Sequence, residues 1–139
     1  MVAPLLTHIL ETSLYVTELE RAEGFYRHVF GFEPIHRDHR MVALRVAAQS
    51  VLLLFRRGAT EAGSDTPGGH IPPHGGGGQL HLCFAIPKAS LAEWETHLAA
   101  CGVEIESRVS WKLGGVSLYA RDPDGHSVEL ATPGLWTNY

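Results

Sequence analysis

An α+β fold built from two βαβββ modules in pseudo-twofold repeat is what this 139-residue sequence predicts, and three observations carry it. A strand-like run followed by a helix occurs twice, about seventy residues apart, and three short strand-like runs follow each helix. A stretch rich in glycine and proline separates the two halves. The chain therefore reads as one domain, with residues 1–57 as the first module, 58–78 as linker and 79–139 as the second module.

The first module opens with the strand ETSLYV at residues 11–16, after which Thr17 and Glu20 make the Thr-x-x-Glu pattern of a capping box. The helix this opens ends at Gly31. Within it Leu19, Ala22, Phe25, Tyr26 and Val29 recur at helical spacing and form one apolar stripe to lay on a sheet. The second module repeats the pattern. HLCFAI at residues 81–86 is the strand, Ser90 and Glu93 are the second capping box, and Leu91, Trp94, Leu98 and Cys101 form the stripe of a helix ending at Gly102. The later strands are expected around FEPIH, MVALRV and SVLLLF in the first half, and around VEIES, GVSLYAR and HSVELA in the second. The last two are joined by RDPDGH, where Pro123 suits the second turn position and Gly125 the left-handed position of a bulged hairpin.

Between the modules, residues 56–78 hold eight of the fifteen glycines and three prolines. Such a loop in a small domain is either disordered or functional, for instance a flap over a site. Hydrophobic residues make up 45% of the chain, enough for one core, and the net charge of -4 offers no basic patch for nucleic acid. No apolar run reaches bilayer length, and MVAPLLTHIL lacks the charged region and cleavage site of an export signal. Cys83 and Cys101 lie far apart, without a CxxC and in apparently buried segments, which suits reduced thiols filling a core. Together these point to a cytoplasmic protein with no nucleic-acid or membrane partner.

Strand alternation sorts the polar residues. In the first strand Glu11, Ser13 and Tyr15 share a face, and in HLCFAI His81 and Cys83 do. Glu11 and His81 occupy the same place in the two modules. Glu129 shares a face with Ser127 and Ala131, away from the helix side. Singly, each reads as a polar side chain on a solvated strand face. Two carboxylates and an imidazole brought together by the repeat instead make a three-ligand metal site of Glu11, His81 and Glu129. One nitrogen among oxygens suits Mn, Fe(II), Co, Ni or Mg, with Zn less favoured.

The segments ETSLYVTELERAEGFYRHVFGF, GQLHLCFAI and YARDPDGHSVELA resemble the vicinal oxygen chelate superfamily, which includes glyoxalase I, extradiol dioxygenases, fosfomycin-resistance transferases and bleomycin-binding proteins. The resemblance covers nearly the whole chain. It implies curled mixed sheets forming a cup with helices outside, and a metal held at the base of the cup by Glu11, His81 and Glu129. It implies a lyase, isomerase or dioxygenase that chelates two neighbouring oxygens of a small substrate, and a homodimer. The alternative it leaves open is a bleomycin-resistance-type module that sequesters a small molecule. Pairing SVLLL with HSVEL sets Leu52 opposite Glu129, so the fourth ligand place of the glyoxalase branch is apolar here. His8 is a rival first ligand whose odd spacing from Glu11 turns it to the other face. Tyr119 and Ser117 share a face and are expected at the substrate. His74, in the loop before His81, is placed to close over the cup as an acid, base or hydrogen-bond donor. The remaining histidines, His126 among them, read as surface residues.

Overall fold

The computed structural model describes residues 1–139. The chain forms two compact units, one of Met1–Glu23 with Phe32–Gly76 and one of Gly24–Gly31 with Gly77–Tyr139. No helix is long and apolar enough to cross a membrane.

In the first unit lie β1 (Glu11–Val16), the start of α1 (Leu19–Phe30), β2 (Glu33–Arg37), β3 (Met41–Ala47) and β4 (Ser50–Arg56). The sheet runs β1-β4-β3-β2, with β1 parallel to β4 and the other pairs antiparallel. This is the expected βαβββ arrangement. Because side chains alternate, Leu14, Val16, Val42, Leu44, Leu52 and Leu54 fall on one face and are buried. Glu11, Ser13 and Tyr15 fall on the other, beside their register partners Val51, Leu53 and Phe55. The stretch read as linker contains an antiparallel hairpin, β5 (Ser64–Thr66) and β6 (Gly69–Ile71).

The second unit repeats the topology with β7 (His81–Ala85), α2 (Leu91–Ala100), β8 (Ser107–Ser110), β9 (Val116–Arg121) and β10 (Ser127–Ala131). Its sheet runs β7-β10-β9-β8, with β7 parallel to β10. The last two turns of α1 belong to this unit. Val29 there joins Ile86, Leu98, Leu118 and Leu130 in one core, against which Phe25, Phe30, Phe84 and Trp94 pack. Burying each such aliphatic side chain stabilises the fold by about 1.5–3 kcal/mol. The apolar stripe of α1 is therefore divided. Ala22 is buried within the first unit, while Tyr26 and Val29 are buried in the second.

Helix ends and turns follow the sequence with local exceptions. After α2, Gly102 adopts φ +71 and donates to the Ala99 carbonyl at 3.0 Å, while Val103 N–H reaches back to Leu98 O at 2.9 Å. This pair of bonds is a Schellman stop, and the positive φ requires glycine. The second capping box does not form. A 3-10 turn at Lys88–Ser90 already holds Ser90 at helical dihedrals, φ −91 and ψ −2, and its hydroxyl makes no capping bond. A cap needs an extended residue at that place. The strand expected at VEIES starts later, at Ser107, and the Val103 amide is instead taken up by the helix stop.

The RDPDGH hairpin is as read. Gly125 N–H donates to Asp122 O at 3.0 Å and Gly125 takes φ +81, while Asp122 Oδ1 accepts from the amides of Asp124 and His126. His126 is not a surface residue. It is fully buried, and its Nδ1 accepts the Leu80 amide at 2.9 Å, which ties the entry of β7 to the start of β10. Cys83 in turn does not fill the core. It is solvent-facing, on the same sheet face as His81, and both cysteines are free.

Candidate metal centre

On the second unit's sheet, the face turned from the helices carries His81 and Cys83 from β7, Ser127 and Glu129 from β10, and Ser117 and Tyr119 from β9. His81 lies opposite Ser127, and Glu129 sits between Cys83 and Tyr119. Glu129 is only 4% exposed, and its Oε1 stands 3.2 Å from His81 Nε2. A carboxylate removed from water to this degree needs partners. Ser117, itself fully buried, donates to Oε2 at 2.5 Å, and the Trp111 indole donates to Ser117 Oγ at 2.7 Å.

The imidazole orientation is set from its other side. His81 Nδ1 lies 3.0 Å from the carbonyl of Ser127, which can only accept, so the ring proton resides on Nδ1. In the neutral ring, Nε2 then presents a lone pair to a carboxylate oxygen at 3.2 Å. Two lone pairs at that distance repel unless a cation lies between them, either a proton or a metal ion. Two ligands at right angles on an ion bound at about 2.1 Å stand roughly 3.0 Å apart, so the donor pair fits a small divalent ion.

The surrounding acids report the same negative charge. Cys83 is solvent-facing as a residue, but its thiol is partly desolvated on the sheet, which pushes it up to about 12, with the Glu129 charge as the second cause. Burial and then the Glu129 charge also raise the Tyr119 phenol, which stays protonated and able to donate. The Tyr119 ring stacks beside His81, with centroids 6.3 Å apart.

The other expected site residues lie in the first unit. Glu11 is exposed on β1, on the face shared with Ser13 and Tyr15. His74 is docked on that same face. Its Nδ1 is 2.6 Å from Tyr15 Oη, its ring meets Phe55 edge-on at 4.7 Å, and its backbone exchanges hydrogen bonds with Thr60. Gly76 closes the contact: a Cβ there would fall 2.6 Å from the Tyr15 ring. His8 bonds to the carbonyl of Gln49 instead. The structure thus brings His81, Glu129, Ser117 and Tyr119 together on one sheet face, and sets Glu11 and His74 on a face of the other sheet. No three His, Cys, Asp or Glu residues of the chain form a metal-holding group.

The register also sharpens the fourth ligand place. β1 pairs Glu11 with Val51, and β10 pairs His81 with Ser127, so the residue matching Glu129 is Leu53 rather than Leu52. Leu52 is fully buried on the helix side. The place is apolar in either alignment. Sequence reasoning did not anticipate Trp111, or Tyr15 as the partner of His74. Tyr15 was within reach, since its parity with Glu11 puts it on the same face.

The family model for the Glyoxalase/Bleomycin resistance protein/Dioxygenase superfamily matches residues 6–130. The crystal structure of lactoylglutathione lyase from Agrobacterium tumefaciens is 38% identical with a TM-score of 0.86, covering 95% of this chain and 98% of that one. Metallothiol transferase FosB from Shouchella clausii (strain KSM-K16) is 25% identical over 119 residues, 84% of this chain and 74% of that protein. A variant of the fosfomycin resistance protein FosX from Listeria monocytogenes, complexed with Mn(II) and 1S,2S-dihydroxypropylphosphonic acid, shares the fold at 20% identity and a TM-score of 0.64, covering 91% of this chain and 90% of that one.

Proposed function

Since the chain belongs to the Glyoxalase/Bleomycin resistance protein/Dioxygenase superfamily, we propose that it is a divalent-metal-dependent enzyme acting on a small oxygenated substrate through two neighbouring oxygens. The observation that carries this is His81 Nε2 beside the buried Glu129 Oε1 at 3.2 Å, a nitrogen and oxygen pair at the spacing of two ligands on one small ion. Glu11, at the equivalent place of the other module, is the third ligand we assign. When bound, the ion supplies Lewis-acid stabilisation of the charge that develops on the substrate oxygens.

The chain's own residues then divide the work. Glu129, held by Ser117, and His81, held by the Ser127 carbonyl, present fixed donor atoms. Tyr119 keeps its proton and donates to a substrate oxygen. His74 exchanges a proton or hydrogen bond with substrate, steadied by Tyr15. Lyase or isomerase chemistry is favoured over dioxygenase chemistry by the likeness to a lactoylglutathione lyase, and a thiol-linked substrate is the class that it and a metallothiol transferase suggest together. With Leu53 at the fourth place, the protein supplies three ligands and leaves the remaining positions to substrate and water. A homodimer is supported by the exposed apolar side chains of Val2, Leu5, Leu6 and Ile9, and a cytoplasmic location by two free thiols.

Elemental analysis of gently purified protein, with calorimetric titration of Mn(II) into the metal-free form, tests the proposal. One ion per chain is expected, together with loss of binding in Glu129→Gln and His81→Ala and weakening in Glu11→Ala. If the wild-type protein binds no divalent ion, the enzyme reading gives way to a small-molecule-binding module.

A further inference from the structure

We infer that Trp111 is a positioning residue for Glu129, acting through Ser117 and resting on the metal-centre reading above. The chain of bonds runs from the Trp111 indole to Ser117 Oγ at 2.7 Å and from Ser117 to Glu129 Oε2 at 2.5 Å. Its direction is fixed by chemistry. An indole N–H donates only, so the serine oxygen must accept from it, and the single serine proton is left for the carboxylate. Glu129 Oε2 therefore accepts from the serine, and Oε1 is the oxygen turned to His81 Nε2.

Trp111 can perform this task because its own backbone is held. It closes the turn after β8, where its amide donates to Gly115 O at 2.8 Å and its carbonyl accepts from Gly114 at 3.0 Å. Gly115 in turn donates to Gly134 O, and the Val116 amide donates to Thr132 Oγ1, which fastens the turn to the segment leaving β10. Glu129 is thus fixed at both ends, by its own strand and by the turn that carries Trp111. Tyr119 also bonds Ser117 and Glu129, and Cys83 also bonds Glu129, but the indole is the donor that turns the serine proton toward the carboxylate, and without it that direction is no longer imposed.

The experiment uses the full chain, with Trp111→Phe to remove the donor while keeping a ring and Ser117→Ala to break the middle link. Outer partners of metal ligands are typically worth about 10–100-fold in affinity, so each variant is expected to bind Mn(II) at least roughly tenfold more weakly, and the double variant no more weakly than Ser117→Ala alone. A second reading comes from the three tryptophan indole N–H resonances in nuclear magnetic resonance. The Trp111 signal, identified by its absence in Trp111→Phe, shifts when Mg(II) is added to the wild-type protein and stays still in Ser117→Ala. A purely structural tryptophan moves neither quantity. Unchanged Mn(II) affinity in a folded Trp111→Phe protein overturns the inference and leaves the metal centre intact. If the wild-type protein binds no ion, the Glu129 carboxyl carbon resonance of the metal-free form decides: displacement in Trp111→Phe upholds the positioning role, and no displacement overturns it.

Discussion

Replacing Tyr26 by Phe removes one hydroxyl from the interior and tests how the second unit's last hairpin is held. Tyr26 is fully buried on α1, and its hydroxyl donates to Asp122 Oδ2 at 2.9 Å. Asp122 is 5% exposed, and its other oxygen is committed to the amides of Asp124 and His126, so it opens the turn that delivers β10 and Glu129. A hydrogen bond to a charged group contributes about 1.5–3 kcal/mol, and water has little access to replace the lost donor. The ring itself still fills its site, so no cavity cost is added. We expect about 2 kcal/mol of destabilisation, which for a chain of this size lowers the melting temperature by roughly 6–8 °C. Urea unfolding at neutral pH reads the change as a lower midpoint with an unchanged slope. A loss below about 0.5 kcal/mol would refute the reasoning, because that is the ordinary effect of a substitution with no special mechanism.

The same pair makes stability fall in alkali. Burial first, and the Asp122 charge second, push the Tyr26 phenol far above its ordinary range, so above about pH 10 the unfolded chain ionises this residue while the folded chain does not. From that point the native protein loses about 1.4 kcal/mol per pH unit through Tyr26, a loss that Tyr26→Phe cannot show. The stability gap between the two proteins should therefore narrow between about pH 10 and about pH 11 in urea titrations, and a constant gap contradicts the assignment. Two glycines separate crowding from backbone freedom. A Cβ on Gly115 would fall 2.6 Å from the Gly134 carbonyl carbon and 2.8 Å from the Leu135 nitrogen, so Gly115→Ala should cost about 1–3 kcal/mol. Gly24, inside α1 with nothing within 4 Å of the same position, should gain about 0.5–1 kcal/mol as Ala. Thermal unfolding of both variants checks the opposite signs.

What the sequence revealed and what it concealed divide along the range of the interaction. Period-two alternation in ETSLYV, HLCFAI and HSVELA placed Glu11, His81 and Glu129 on the faces turned from the helices, as the paired strands have them. The turn at Asp122–Gly125 was equally legible, because its residues satisfy one another locally. Long-range pairing was not. His126 looked like a surface residue until its ring was found accepting the Leu80 amide, forty-six residues away in sequence. The capping role of Ser90 failed for a nearby reason that composition does not display, a 3-10 turn occupying the place of the cap. Trp111 had no signal at all, since a loop tryptophan gives no hint that its indole points to Ser117, on the sheet face shared with Tyr119.

The two sheets share one register and differ in the side chains it sets side by side. In each unit the first strand lies parallel to the last, a pairing that sets the opening residue of one beside a residue near the start of the other. The geometry is repeated, but the chemistry is not. In the second unit the paired strands carry His81 and, two residues along from its partner, Glu129. In the first they carry Glu11 and, at the matching place, Leu53. Ser117 and Trp111 stand behind Glu129, whereas the first unit uses its corresponding face to hold His74 against Tyr15 and Phe55. The same register thus holds a fixed carboxylate and imidazole in one module, and in the other an exposed carboxylate, Glu11, and a histidine docked on its own sheet.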